Sequence, residues 1–166
     1  MAEEYLACAF TGHRKIADAH IGNIDGLVFR AIEYMYKEGV RYFYAGGAQG
    51  FDTVAARQVI LFKLTHPDVS LHLILPCQNQ TDGWTKETRD MYDFVLCGAD
   101  SVEYLEDSYT DGCMRRRNQR LVDLADYLVA YVNRTNSGSA QTVRMAQAKS
   151  IKVFNLYKSL DEQARK

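Results

Sequence analysis

The order of apolar runs along this chain predicts an α/β fold: one doubly wound domain with a mostly parallel sheet and helices on both faces. Three observations carry that expectation. Short runs rich in β-branched and aromatic residues alternate with longer stretches whose apolar residues recur at helical spacing. Glycine or proline stands at many of the junctions, and no linker, repeat or low-complexity stretch divides the 166 residues, which are read as a single domain, 1–166.

Tyr5–Phe10 reads as the first strand, and Ile21, Ile24, Leu27, Val28, Ala31, Ile32 and Met35 fall on the stripe of the first helix. Gly39 stands where that helix would stop in a left-handed turn. Arg41–Ala45 is the second strand, cut off by Gly46-Gly47, and Asp52 to Leu64 is helical, with Pro67 barring continuation. Val69–Leu75 is a nearly all-apolar strand ended by Pro76. A helix from about Thr85 to Leu96, a strand at Ser101–Leu105 and a helix from Met114 to Ala125 follow. Tyr127–Val132 is a buried-type strand, Ser139–Lys149 is helical, and Lys152–Leu156 closes the pattern as a last strand. Right-handed crossovers accommodate this βαβ alternation only in a parallel, Rossmann-like sheet.

Twenty basic against twenty-one acidic side chains give a formal charge of −1, so no global field attracts a polyanion, and nucleic acid is not the expected partner. The four cysteines, Cys8, Cys77, Cys97 and Cys113, form no CxxC pair, which removes zinc ribbons and thioredoxin-like chemistry. No metal-ligating motif is present, and no stretch approaches the length of a membrane span. The acidic start Met1-Ala2-Glu3-Glu4 is unlike a signal peptide, and a cytoplasmic location is the expectation. Oligomeric state is left open.

In sheets of this kind ligands sit outside the carboxyl ends of the strands, where strand order reverses. The polar or Gly-rich segments that follow strands are therefore the candidates. The loop Gly46-Gly47-Ala48-Gln49-Gly50-Phe51-Asp52 is the most informative, because glycines between a strand and a helix allow close backbone approach and can present amides to a phosphate. It matches neither the GxGxxG dinucleotide fingerprint nor a P-loop, and the competing reading is a tight turn with Asp52 as helix cap. Gly12, His13 and Arg14 follow the first strand, where a guanidinium can hold phosphate in bidentate fashion. Pro76 and Gln80 lie at the end of the third strand, and Trp84 can either stack on a base or anchor the next helix. Arg115-Arg116-Arg117 opens a helix, where positive charge is mildly unfavourable and hints at an anion, although such runs are commonly just solvated. Asn118 lies one turn before the buried part of that helix. Ser137, Gly138, Ser139 and Thr142 open the next, as N-caps or as a second phosphate cradle.

Taken in this order, Thr11-Gly12-His13-Arg14, the run Gly46–Asp52, Pro76 with Gln80 and Trp84, Asn118 with Leu121-Val122-Asp123, Ala125-Asp126 and Ser137-Gly138-Ser139 with Thr142 resemble the SLOG superfamily. These are the Rossmann-like domains named after the Smf (DprA) DNA-processing and "lonely guy" proteins, and the likeness is to the YpsA-like branch. The resemblance implies a nucleotide or nucleotide-derived ligand over the loops at Gly12, Gly46–Gly50 and Ser137–Ser139. Two departures qualify it. The lonely-guy phosphoribohydrolases carry a catalytic glutamate where Met145 stands here, and a thioether can neither move a proton nor stabilise an oxocarbenium-like centre. The DNA-processing proteins carry an arginine and a histidine where this chain has Gln49 and Ala56.

The expected function is thus a ligand-binding or sensing module for a phosphate-bearing nucleotide, with NAD-like or ADP-ribose-like molecules among the candidates and no certain cofactor. The alternative is a hydrolase that cleaves an N-glycosidic or phosphate bond of a nucleotide. A single-stranded DNA binder is the third and least favoured reading.

Overall fold

A computed structural model describes residues 5–166. Strands β1 (Leu6–Gly12), β2 (Val40–Ala45), β3 (Ser70–Leu75), β4 (Ser101–Tyr104), β5 (Tyr127–Tyr131) and β6 (Lys152–Asn155) form one six-stranded sheet in the order β4-β3-β2-β1-β5-β6. Every neighbouring pair is parallel. Between them run α1 (Ile24–Lys37), α2 (Phe51–Lys63), α3 (Lys86–Gly98), α4 (Cys113–Leu124) and α5 (Gly138–Ala148), and α6 (Tyr157–Ala164) follows the last strand.

Parallel strands need crossovers, and the helices that supply them cover both faces, so the central strands are apolar on both sides. On β1, Cys8 and Phe10 join the cluster that includes Val28, Ile32, Phe43, Phe51 and Val59, beneath α1 and α2. Ala9 points the other way, to Leu121, Val122, Leu128 and Ala146 beneath α4 and α5. Gly39 has a φ of +101°, and the backbone there turns from α1 into β2 as expected of a left-handed helix stop.

Two elements escape the expected pattern. A single 3-10 turn, Asp18–His20, precedes α1, and α6 continues past the strand at which the sequence pattern ends. Both are too short for a clear apolar period, and tertiary contacts hold them together. His20 is buried, its Nδ1 lies 2.7 Å from the Tyr131 hydroxyl, and its Nε2 lies 2.7 Å from Asp161 Oδ1 on α6. Leu160 anchors the same helix in the core. The helix expected to run to Leu64 stops at Lys63, with Leu64 as its cap.

From β1 the chain adds β2, β3 and β4 in one direction, then returns to place β5 on the other side of β1. Strand order therefore reverses between β1 and β5, where Gly12 pairs with Tyr131 at the carboxyl ends. The loop entering α2 is pinned against this point. Gly50 has a φ of +78°, a Cβ there would stand 2.2 Å from the Arg14 carbonyl oxygen, and the next amide, Phe51 N–H, donates to the His13 carbonyl at 3.1 Å. Gly50→Ala therefore meets both an unfavourable backbone region and a clash. It is expected to lower the unfolding free energy by at least about 2 kcal/mol in urea titration. A change within a few tenths of a kcal/mol would show that the loop is not pinned.

Candidate functional site

The crevice beyond β1 and β5 is a cleft of about 330 Å³, the lower end of the range for small-molecule sites. Its walls come from the β1 loop (Gly12, His13, Arg14, Lys15), the start of α2 (Ala48, Asp52), the start of α4 (Met114, Arg117, Asn118), Arg134 after β5, and the start of α5 (Ser137, Gly138, Ser139). Three helices thus begin at one place. Their first N–H groups have no intrahelical acceptors and make that corner electropositive.

The amides of the two Gly-bearing corners are used differently. At α2, Ala48 N–H donates to Asp52 Oδ2 at 3.2 Å and Phe51 N–H to the His13 carbonyl, so both are already engaged within the chain. Asp52 is therefore not the N-cap of α2. That place belongs to Gly50, and Asp52 instead braces the loop from the first turn. At α5, Ser137 caps the helix by accepting the Ala140 N–H at 3.1 Å, and its first turn at Gly138 and Ser139 opens on the cleft. Thr142 is fully buried and its hydroxyl donates to the Gly138 carbonyl at 3.0 Å, turned into the helix rather than the cleft.

Arg117 is the residue the sequence reading left within a charge run. Arg115 and Arg116 are exposed, whereas Arg117 is only 6% exposed. A buried guanidinium needs partners. Arg117 Nε donates to Asn118 Oδ1 at 2.8 Å, its Nη1 to the Gly46 carbonyl, and the Asp52 carboxylate supports it electrostatically. A Cβ on Gly46 would stand 2.4 Å from Arg117 Nη1, so this glycine makes room for the arginine. Asn118 links the same group to α5, with Nδ2 3.5 Å from the Gly138 carbonyl.

Among the described residues, Asp52 is the only acidic side chain lining the cleft, with Arg14, Lys15, Arg117 and Arg134 as the cations. Burial pushes its carboxyl up from 3.8 to about 6, against the opposing pull of Arg117, the Ala48 N–H and Arg14. His13, in the wall of the same cleft, is buried as well. Burial, and then the Arg134 charge, pull its imidazole below the usual histidine range, while its hydrogen bond to Asn133 opposes them. Arg134 Nη2 stands 3.3 Å from His13 Nδ1, and Nε2 lies 2.8 Å from Asn133 Oδ1. The Asn133 backbone N–H also reaches Nε2, at 3.0 Å, so residues 133 and 134 hold the ring at both of its nitrogens.

The structure brings Gly12, His13, Arg14, Ala48, Asp52, Asn118, Ser137, Gly138 and Ser139 together in one cleft. Gln80 and Trp84 line an adjoining concavity that shares Arg14, Ala48 and Met114 with it. Gln49 lies in a separate groove with Arg57 and Glu87, Pro76 is buried at the end of β3, and Gly46 and Gly47 pack against Arg117 and Leu75 beneath the loop. The sequence pattern names Thr11 only as part of its motif and Arg117 only within the arginine triplet, and it does not single out Lys15, Met114 or Arg134; all five line the cleft. For Arg117, its place one turn into an amphipathic helix, beside Asn118, was the available signal. Among the described residues, no group of three or more His, Cys, Asp or Glu side chains is placed to hold a metal ion, and no helix is long and apolar enough to cross a membrane.

A family model, YpsA, described as the YspA SLOG family, matches residues 9–159. The chain belongs to this family. A relative in it, the UPF0398 protein of Bacillus thuringiensis (strain Al Hakam), is 24% identical over 130 residues, covering 77% of this chain and 71% of that protein. In three dimensions the SLOG domain is similar to DNA processing protein A from Helicobacter pylori, solved for its single-stranded DNA binding mode. The TM-score is 0.62 with 18% identity, covering 96% of this chain and 73% of that one. It is also similar to DNA processing protein A from Streptococcus pneumoniae, at a TM-score of 0.64 and 17% identity over 91% of this chain and half of that one. These likenesses confirm the Rossmann-like SLOG fold.

They also correct the expectation that nucleic acid is not a partner, because this fold is shared with a protein that binds single-stranded DNA. The physical reason for the misjudgement is that net charge is a sum over the whole chain. The formal charge is −1, yet the cleft alone gathers four cationic side chains against one carboxylate.

The raised Asp52 carboxyl has a definite consequence for stability. A group whose proton is held more tightly in the folded chain contributes stability that is complete below its unfolded value and is lost as pH rises through its folded value. Asp52→Asn removes that dependence, and the amide oxygen can still accept the Ala48 N–H. The stability of Asp52→Asn relative to the unaltered chain should therefore rise by on the order of 3 kcal/mol between about pH 4 and about pH 7.5 in paired urea titrations. Parallel pH profiles for the two proteins would contradict the burial argument.

Proposed function

We propose that the SLOG cleft binds a nucleotide through its phosphate, held by Arg14, Arg134 and the first turn of α5 at Gly138 and Ser139, with Arg117 supplying fixed positive charge behind them. The observation that carries this reading is the convergence of four cationic side chains and three helix beginnings on one cleft where strand order reverses. Arg14 and Arg134 are exposed, with Arg134 resting against the His13 ring, whereas Arg117 is locked by Gly46 and Asn118. Asp52 opposes an anion while ionised, and with its carboxyl raised to about 6 that opposition falls away as the pH drops below about 6.

A second reading is that the bound nucleotide is a unit of a single strand, favoured by the similarity to DNA processing protein A. The two differ in salt dependence. A strand that engages several phosphates loses affinity steeply with salt, while a mononucleotide engages few.

Calorimetric titration with ADP at low salt tests the site. Arg14→Ala and Arg134→Ala are each expected to weaken ADP by about tenfold, the worth of one charge-assisted hydrogen bond. Asp52→Asn should tighten ADP at neutral pH by removing a nearby negative charge. Unchanged ADP affinity in both arginine variants would place the ligand elsewhere. An oligodeoxythymidylate that binds more tightly than ADP, with a steeper dependence on salt, would favour the strand.

A further inference from the structure

Three concavities lie side by side along the carboxyl edge of the sheet. The central cleft shares Arg14, Ala48 and Met114 with a concavity of about 400 Å³ walled by Trp84 and Tyr109. On its other side it shares His13, Lys15 and Arg134 with one of about 290 Å³ walled by Tyr157. Adjoining through these shared residues, they make a groove-like row with a distinct pattern: cations at the centre, aromatic rings at both ends.

The rings are held by their neighbours. Trp84 stands edge-on to Tyr92 at 5.5 Å between centroids. Tyr157 stands edge-on to His20 at 4.8 Å and lies tilted against Tyr131 at 4.7 Å. Tyr109 is 60% exposed, and its backbone N–H donates to Asn79 Oδ1 at 3.0 Å, which ties its loop to the wall of the same concavity. Charge falls away from the centre. The Trp84 concavity holds no cation except the shared Arg14 and includes Asp82, and the Tyr157 concavity holds none except the shared Lys15 and Arg134. A ligand with negative charge only at its ends, or only one planar group, leaves part of this pattern unused.

We infer that the groove takes two nucleoside heads joined through phosphate: the bridge lies over the central cations, one base rests against Trp84 and Tyr109, and the other against Tyr157. This rests on the reading of the central cleft as a phosphate site. Aromatic faces bind any base by stacking, and Trp84 and Tyr157, already packed against neighbouring rings, lose little side-chain freedom on binding. A free dinucleotide and two successive units of a single strand share this chemistry.

The test is calorimetric titration of the full chain with inorganic pyrophosphate, ADP, NAD and a short oligodeoxythymidylate. It is repeated on Trp84→Leu and Tyr157→Leu, which keep apolar bulk in place. NAD or the oligonucleotide is expected to bind about tenfold more tightly than ADP, the gain from one stacked base. Each variant should lose about that factor for the two-headed probe while pyrophosphate affinity stays unchanged. A gain for NAD alone assigns the groove to a free dinucleotide, and a gain for the oligonucleotide alone assigns it to a strand. If neither probe exceeds ADP, or if both variants keep the full affinity, the inference is overturned. Pyrophosphate binding without any gain from a second head defeats this inference and leaves the phosphate site standing, whereas failure of pyrophosphate itself defeats both.

Discussion

The site is organised by a guanidinium buried where the sheet changes direction. Arg117 reaches from α4 to the end of β2, and a charge taken out of water must be met by acceptors and by opposite charge. The Gly46 carbonyl, the Asn118 carboxamide and the neighbouring Asp52 carboxylate meet it. Each of these partners then constrains something else. Gly46 must lack a side chain, Asp52 must brace the α2 loop through the Ala48 N–H, and Asn118 ties α4 to the start of α5. The cleft is what remains between elements fixed in this way.

Most of the fold was legible in the chain because its elements are long enough to show their period. The two-sided burial of β1, with Cys8 and Phe10 on one face and Ala9 on the other, makes a parallel central strand read as an unbroken apolar run. The stop at Gly39 and the end of β3 before Pro76 are local backbone effects. What could not be read was short and tertiary. Helix α6 is held by Leu160 and by the His20 contact to Asp161, partners separated by 141 positions, and no local pattern announces such a contact.

The candidate site was legible as a set of loops and misread in its parts. The glycines after β2 do allow close approach, but what comes close is largely the protein itself: Arg117 at Gly46 and the β1 loop backbone at Gly50. The beginning of α5 behaves more nearly as the sequence suggests, with Ser137 as the cap and Gly138 and Ser139 on the cleft wall. Arg117 was hidden because a triplet of arginines looks like a solvated face, and only its position on the helix separates it from Arg115 and Arg116. Net charge misled for a related reason. Acidic side chains spread over the surface cancel the cleft's cations in the sum and not in space.

A crystal structure of the chain with ADP tests the central claim most directly. The account predicts a phosphate within hydrogen-bonding distance of Arg14 or Arg134 and of an amide in the first turn of α5, with Arg117 still bound to Gly46. ADP at saturating concentration lodged in the groove beside Gln49 and Arg57, or on the apolar face of α1, would contradict it.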